Sequence, residues 1–219
     1  QQKQEGLRSV GLAVVVGRLT PDQMTELARL ADGYGSGKVR LTTGQNVILP
    51  DVAVQKVPAL LREPLLRELS PAPSPFFRRL VACTGTDYCN LAQIETKGYA
   101  VKISQALEER LGTSRDPLTI HWSGCPAGCG NHQAADIGFR GLRANIGGEI
   151  IDAVAIYTGG RTGPDAVAGQ QVLDVVPCDD KLPDVVAAIM RARERRKETT
   201  IPGTPDVTEE IPNGLHQPV

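Results

Sequence analysis

Four of the five cysteines form two close pairs. Cys83 and Cys89 are separated by five residues, Cys125 and Cys129 by three, and 35 residues lie between the two pairs. Five cysteines cannot all pair in a disulfide framework, and this grouping favours a metal site. Thiolates are soft ligands that suit iron, and their negative charge offsets the positive charge of iron in a cluster. The spacing therefore predicts one iron-sulfur cubane held by four thiolates.

Two other interpretations of these cysteines stay open. A structural zinc site also uses four such ligands, although its pairs are usually separated by two or four residues. Alternatively, the four are unrelated buried thiols, since free cysteine is common in protein cores. The fifth cysteine, Cys178, stands alone in the sequence, and we interpret it as a buried structural residue that lies apart from the others.

Small residues and histidines surround the second cysteine pair. Pro126 and Gly128 predict a tight loop whose backbone amides point at sulfur. His121 and His132 flank this loop and are candidate metal ligands by residue type alone. A histidine in an alternating strand is more often packed or hydrogen-bonded, so we expect neither to bind the metal.

Two stretches of the sequence resemble the cluster loops of ferredoxin-dependent nitrite reductases, within the siroheme nitrite and sulfite reductase family. They are ACTGTDYCN at 82–90 with IETK at 94–97, and HWSGCPAGCG at 121–130 with ADIGF at 135–139. Shorter matches are the family's second R-x-T-x-x-Q-N element, RLTTGQN at 40–46, then GGR at 159–161 and VPC at 176–178. The resemblance covers about residues 7 to 195 and departs at Ala127, where many relatives have asparagine.

This resemblance implies two cofactors, a 4Fe-4S cluster on the four paired cysteines and a siroheme. It implies that the siroheme iron shares the thiolate of Cys129, which makes this cysteine a catalytic as well as a metal-binding residue. We expect the glycine position after it, Gly130, to let a large planar cofactor approach the backbone. The implied activity is six-electron reduction of nitrite to ammonia. Sulfite reduction to sulfide is the alternative. The short sequences TDY at 86–88 and HWS at 121–123 favour nitrite.

The R-x-T-x-x-Q-N element supplies the remaining candidate site residues. The resemblance implies that Arg40 is catalytic, either through the anionic substrate or through a siroheme carboxylate. Thr42, Gln45 and Asn46 would bind the cofactor through its carboxylates. In the competing interpretation, Arg40 is a solvent-exposed strand residue and the other three shape the turn beside Gly44.

The family consists of two pseudo-repeats, and the first one is not recognisable in this chain. Several basic residues that hold the anion belong to that first repeat. The chain would then be the C-terminal half, or an electron-transfer or cofactor-binding module that requires a separate N-terminal half for catalysis. Because a lone half leaves one face of the macrocycle uncovered, we expect the chain to pair with such a half or with itself. The basic run at 191–197 would dock an acidic ferredoxin-type donor or form the solvated end of a helix.

Hydrophobic periodicity predicts an α+β fold of two units. Residues 1–70 would form a small ferredoxin-like α/β half-repeat, and residues 76–197 a mixed α/β domain that binds siroheme and the cluster. Residues 198–219 contain four prolines and two glycines without periodicity and are predicted to be a disordered tail.

The predicted elements place the cysteines after strands. The first unit should contain a strand at 10–17, a helix capped by Thr20 and ended by the glycines at 33, 35 and 37, a hairpin at 38–42 and 46–49, and a helical stretch at 52–69 broken by Pro58 and Pro64. The second should contain strands at 80–82, 118–122, 137–139 and 150–157, and helices after Cys89 and at 184–197.

Composition limits the classes of partner. The formal net charge is -1 and aromatic residues make up 4% of the chain, so we expect no nucleic acid partner. No apolar run reaches the roughly 20 residues that span a bilayer, so we expect no membrane partner. The start lacks both methionine and an apolar leader, which predicts a cytoplasmic protein that was processed, trimmed or excised from a longer one. The expected partners are nitrite or sulfite and a ferredoxin-type electron donor.

Overall fold

The computed structural model describes residues 2–113 and 116–199. The tail predicted at 198–219 lies outside the described residues, apart from its first two positions, which end the last helix. No helix in these two described ranges is long and apolar enough to cross a bilayer.

The first unit is a three-stranded antiparallel sheet covered by helices. Its strands are β1 (Leu7–Leu12), β2 (Arg40–Leu41) and β3 (Val47–Ala53), in the order β1-β3-β2. Its helices are α1 (Pro21–Tyr34), α2 (Val57–Leu60) and α3 (Leu65–Glu68). The apolar face of α1 buries Leu27, Leu30 and Ala31 against this sheet and the two short helices.

Local sequence signals set both ends of α1, as predicted. Gln23 donates its backbone amide to the Thr20 hydroxyl at 3.1 Å, and Thr20 donates its own amide to the Gln23 side chain at 3.0 Å. This capping box satisfies donors that a helix otherwise leaves unpaired. At the other end, the amide of Gly35 bonds to the carbonyl of Ala31 at 3.0 Å.

Two predicted boundaries in the first unit were wrong. The strand predicted at 10–17 ends at Leu12, because the amide of Ala13 bonds to the carbonyl of Ser70 and that of Val14 to the Asn46 side chain, and the chain then turns at Val16, whose φ is 49°. The helical stretch predicted at 52–69 starts late, because Val52 and Ala53 continue β3 and pair with β1. The rest of that stretch forms two four-residue helices on either side of Pro64.

The second unit is a five-stranded sheet in the order β4-β5-β6-β7-β8. Its strands are β4 (Arg79–Ala82), β5 (Thr119–Ser123), β6 (Ile137–Ile146), β7 (Glu149–Thr158) and β8 (Gln170–Pro177), and its helices are α4 (Lys97–Leu111) and α5 (Leu182–Thr199). Strands β4, β5 and β6 are parallel to one another, and β7 is antiparallel to both of its neighbours, β6 and β8. The α+β class and four of these strands were predicted, whereas β8 was not.

Aromatic stacking lies at the centre of the second core. The rings of Trp122 and Phe139 stack with centroids 4.0 Å apart, and both side chains are fully buried. Val16 of the first unit belongs to the same buried cluster. The two units are therefore packed against one another through this residue. In the middle of α5, Arg191 donates to the carbonyl of Arg110 at 3.1 Å, so part of the basic run is engaged within the chain.

Candidate metal centre

Both cysteine loops start at the same edge of the second sheet. Strands β4 and β5 are adjacent and parallel, and Ala82 is paired with Trp122. Cys83 follows Ala82 directly, and Cys125 lies three residues beyond Trp122. Because parallel strands end at one edge, the fold delivers the two loops side by side.

Backbone hydrogen bonds then join the first loop to the second. Cys83 donates its amide to the carbonyl of Trp122 at 3.0 Å, and Gly124 donates its amide to the Cys83 sulfur at 3.1 Å. Further along the first loop, Gln93 donates its amide to the carbonyl of Gly124 at 2.8 Å. Gly124, which directly precedes Cys125, is therefore hydrogen-bonded to the first loop through both its amide and its carbonyl.

A buried threonine closes the first loop. Thr96 occupies the position before α4 without capping the helix through its side chain, and donates its hydroxyl to the carbonyl of Cys83 at 2.6 Å. Gly85 has a φ of +64°, and a Cβ at this position would lie 2.8 Å from the Thr96 amide nitrogen. A larger residue at position 85 would push the loop away from Thr96, so glycine is required for this closure.

The second loop turns back onto the end of β5. Gly130 donates its amide to the Ser123 hydroxyl at 3.1 Å, and a Cβ on Gly130 would lie 2.0 Å from the carbonyl oxygen of Trp122. The prediction that Gly130 leaves room for a planar cofactor was therefore wrong, since its open side faces the protein's own strand. Within the same loop, Cys125 is buried and Cys129 is exposed.

Both histidines are engaged within the protein, as predicted. The His121 ring hydrogen-bonds through Nδ1 to the carbonyl of Asn131 at 3.0 Å. The buried His132 ring shares a hydrogen bond of 3.0 Å with the Ser123 hydroxyl and meets the Tyr157 ring edge-on at 4.7 Å. Burial lowers the pKa of His121 and of His132 below the usual value, so both rings are neutral at physiological pH.

Cys178 belongs to another part of the sheet. It follows β8, donates its amide to the carbonyl of Asp152 in β7 at 2.9 Å and packs against the second core. Burial, aided by the nearby carboxylates of Asp152 and Asp179, raises the pKa of its thiol to about 12. Cys178 is thus a partly buried residue packed against the core and apart from the two cysteine loops, in the structural role predicted but less buried than expected.

The donor chemistry of the two loops fits an iron-sulfur cluster. All five cysteines are free thiols. Within residues 2–113 and 116–199, no three His, Cys, Asp or Glu side chains are gathered as ligands of a single metal ion. In a cubane each thiolate binds a different iron, so its four ligands stand further apart than those of one ion. The assignment of all four cysteines to one cluster stays a prediction.

The structure places the R-x-T-x-x-Q-N element in the hairpin of β2 and β3. Arg40 is exposed on β2, and the Thr42 hydroxyl accepts the amide of Asn46 at 3.0 Å. The Asn46 side chain accepts the amide of Val14 at 2.9 Å, and the Gln45 side chain bonds to the backbone of Ala82. These contacts match the turn-forming interpretation. A role of the four residues toward substrate or cofactor stays a prediction.

Lys97 joins the two units at the cluster edge; it is the last residue of the IETK match at 94–97, but the sequence predicted no role for it. The Lys97 ammonium donates to the carbonyl of Val16 and to that of Ala82, the latter at 3.2 Å. Desolvation by burial is the main cause that lowers the pKa of Lys97. The glycine at position 17, directly after the left-handed Val16, was the only sequence signal for this turn.

A basic cavity of about 620 Å³ adjoins the second loop. Gly128 and His132 line one side of it, and Arg140, Tyr157 and Arg161 line another. The Arg140 guanidinium lies 5.7 Å from the centre of the Tyr157 ring, and Arg161 donates from Nε to the carbonyl of Asp165 at 2.6 Å. Guanidinium groups bind carboxylates and small oxyanions, so this cavity is suited to an anion.

Two family models together match nearly all of the described chain. The nitrite/sulfite reductase ferredoxin-like half domain matches residues 1–66, and the nitrite and sulphite reductase 4Fe-4S domain matches residues 74–199.

The matches to curated relatives cover most of this chain but only part of the length of each relative. A ferredoxin-nitrite reductase of Synechococcus elongatus is 50% identical over 88% of this chain and 37% of the relative. A chloroplastic ferredoxin-nitrite reductase of Zea mays is 48% identical over 90% of this chain and 36% of the relative. The assimilatory ferredoxin-dependent nitrite reductase of Haloferax mediterranei is 43% identical over 87% and 33%. The chain therefore spans about a third of the length of these relatives.

Solved structures also superpose on nearly the whole of this chain. The NirA protein of Mycobacterium tuberculosis superposes with a TM-score of 0.81 and 30% identity, over 94% of this chain and 38% of that one. A dissimilatory sulfite reductase I superposes with a TM-score of 0.66 at 11% identity, over 96% of this chain and 74% of that one, a likeness of fold alone.

Proposed function

Because the chain belongs to the nitrite and sulfite reductase family, we propose that it forms the cluster-binding part of a ferredoxin-dependent enzyme that reduces nitrite to ammonia. The observation that carries the proposal is the joining of the two cysteine loops at the carboxyl ends of β4 and β5, through Cys83, Gly124 and Trp122. The names of the relatives supply the substrate and the donor. These relatives are much longer than the chain, so the reaction is proposed for the assembled enzyme.

The proposed cofactors are a 4Fe-4S cluster and a siroheme. The cluster ligands are Cys83, Cys89, Cys125 and Cys129. When bound, the two groups would supply single electrons and an iron atom at which the nitrogen-oxygen bonds of nitrite are broken. The exposure of Cys129 supports its role as the shared ligand, since residue 129 is accessible from outside the loop while Cys125 is buried.

The protein's own groups control the charge of the site. The amide of Gly124 donates to the Cys83 sulfur, and an amide donor stabilises a thiolate and tunes the potential of its cluster. On the other side of the second loop, Arg140 and Arg161 give the adjoining cavity positive charge. Nitrite and the carboxylates of siroheme are both anions that such a cavity attracts. Arg40 is proposed as a further basic residue toward the same anions, with Thr42, Gln45 and Asn46 beside it.

The proposal also covers the partners and the location of the protein. The partners are a ferredoxin-type donor and a complementary N-terminal half or a second copy of this chain, since the matched region is little more than a third of the relatives. The proposed location is the cytoplasm, a reducing compartment in which free thiols persist.

An electron-transfer or cofactor-binding module is the second candidate function. The same limited span favours it, because the residues that complete a catalytic site in the relatives would then come from another chain. Sulfite reduction remains the alternative reaction, since both family models cover nitrite and sulfite reductases.

An absorption spectrum of the chain isolated anaerobically with its cofactors tests the proposal. Siroheme bands together with broad cluster absorption are expected, along with turnover of nitrite in the presence of an artificial reductant and the complementary half. Cluster absorption without siroheme would favour the module. A chain that contains no stoichiometric iron and sulfide would refute both the enzyme and the module.

A further inference from the structure

The outer edge of β4 is completed by a side chain from the other unit. The amide of Cys83 points toward β5, so the amide and carbonyl of Ala82 point away from it, at the free edge of the sheet. There Gln45 donates from Nε2 to the Ala82 carbonyl at 2.8 Å and accepts the Ala82 amide on Oε1 at 3.1 Å. One side-chain amide thus replaces the donor and the acceptor that a neighbouring strand would provide.

Unusual backbone conformations lie next to this contact. Gln45 has a left-handed φ of 59°, and the β-branched Val16 has one of 49°. Such conformations cost about 1 to 3 kcal/mol each and persist where surrounding contacts impose them. Gly17, with a φ of +68°, lies against the Gln45 side chain, and a Cβ on this glycine would lie 3.0 Å from the Gln45 Cβ. The chain therefore makes room for the glutamine at an energetic cost.

The bonded peptide is the one that leads into the first proposed cluster ligand. Ala82 precedes Cys83, whose amide, carbonyl and sulfur are each fixed by a hydrogen bond, to Trp122, Thr96 and Gly124 respectively. The outer side of this peptide is held by Gln45, with Lys97 as a second donor to the same carbonyl. A metal ligand depends on such supporting contacts for its orientation.

We propose that Gln45 is a positioning residue of the cluster: its side chain locks the Ala82–Cys83 peptide and so aligns the Cys83 thiolate. This inference rests on the proposed function, because it requires the cluster to bind at Cys83. It gives Gln45 a role through the backbone of the second unit, separate from the cofactor contact predicted from the sequence. The hairpin of the ferredoxin-like unit thereby acts on the cluster without touching it.

Two substitutions test the lock on the full chain, reconstituted anaerobically with iron and sulfide. Gln45→Met keeps the length of the side chain and removes both hydrogen bonds, while Gln45→Glu keeps only the acceptor. Gln105→Glu, at an exposed position of α4, is the matched control for the change of charge. We expect Gln45→Met to lose iron to a chelator roughly tenfold faster than wild type, as when an outer-shell partner is removed. Gln45→Glu should show a smaller effect, and the control none.

Two readouts separate positioning from mere stability. The electron paramagnetic resonance spectrum of the reduced cluster should change in Gln45→Met at a temperature where its circular dichroism equals that of wild type. In the wild-type chain, the Ala82 amide should be protected from hydrogen exchange, a measurement that needs no variant to fold.

The outcomes distinguish this inference from the proposed function. A wild-type chain that assembles no 4Fe-4S cluster refutes the proposed function and this inference with it. A wild-type chain that binds the cluster, with Gln45 variants that keep its spectrum and chelation rate, overturns only the positioning role. Free exchange of the Ala82 amide in the wild type would overturn it as well.

Discussion

The amide of Gly124 lies 3.1 Å from the sulfur of Cys83 and donates a hydrogen bond to it across the two cysteine loops. These residues are 41 positions apart in the chain. The contact exists because β4 and β5 are parallel neighbours and end together. It links the geometry of the sheet directly to the charge on a proposed cluster ligand.

Replacing Gly124 with alanine should loosen this link. The new Cβ would lie 3.1 Å from the Ile94 carbonyl oxygen and 3.2 Å from the Thr96 methyl group, closer than side chains normally approach. Overpacking of this kind costs about 1 to 3 kcal/mol. Urea denaturation should show a lower free energy of unfolding for Gly124→Ala than for wild type.

The matched control is Gly33→Ala on the exposed side of α1, where a Cβ meets no atom within 4 Å. Alanine is favoured over glycine inside a helix by roughly 0.5 to 1 kcal/mol, so this variant should be more stable than wild type. A Gly124→Ala chain as stable as wild type would show that the first loop yields to the extra methyl group.

The two serine variants Cys129→Ser and Cys83→Ser should differ in what they damage. Cys129→Ser removes the sulfur proposed to be shared with the siroheme iron, so siroheme ligation and nitrite turnover should be lost even where some cluster remains. Cys83→Ser should chiefly lower the iron content, because Cys83 has no proposed bond to the siroheme iron. Absorption spectra, iron analysis and turnover with an artificial donor separate the two. Normal ligation and turnover in Cys129→Ser would disprove the shared thiolate.

Features encoded by near neighbours in sequence were predictable. The capping box of Thr20 and Gln23, and the strands that lead to Cys83 and Cys125, depend on residues a few positions apart. The grouping of the four cysteines around one cluster rests on their spacing, which is itself a chemical pattern, and it stays a prediction. Strand β8 carried no such pattern, because most of its residues are exposed and its apolar positions do not alternate regularly with polar ones.

Contacts between distant residues could not be predicted from one sequence. Gln45 and Ala82 are 37 positions apart, and the glutamine looked like a cofactor ligand or a turn residue because its partner is a backbone group. Gly130 was interpreted as an opening for a cofactor, whereas the carbonyl of Trp122 occupies that space. In both cases the missing information was which strand edge the residue faces.

The cysteines should differ in their reactivity toward alkylating reagents in the chain without its cluster. Cys129 is exposed, whereas burial raises the pKa of Cys178 to about 12. Because only the thiolate reacts, this rise from the ordinary 9.0 lowers its thiolate fraction near neutral pH by about a thousandfold. Timed iodoacetamide labelling followed by peptide mass spectrometry should find Cys129 modified early and Cys178 last. Early labelling of Cys178 in the folded chain would contradict its burial.

Buried His132 and half-buried His121 should make the folded chain sensitive to acid. Burial lowers the pKa of His132 below its ordinary 6.5, with the nearby Arg140 acting in the same direction, and burial also lowers that of His121. The unfolded chain therefore takes up protons first as the pH falls, and the unfolding free energy should begin to decrease near pH 6.5. Above that pH both states are neutral at these rings and the contribution is complete. Urea denaturation from pH 8 down to pH 5 should show this decrease, and His132→Gln should reduce it while leaving the part that belongs to His121. If the unfolding free energy of His132→Gln fell with pH as steeply as that of wild type, the acid sensitivity would not come from His132. The wild-type ring would then be protonated in the folded chain without penalty, through a partner other than the Ser123 hydroxyl that lies 3.0 Å away.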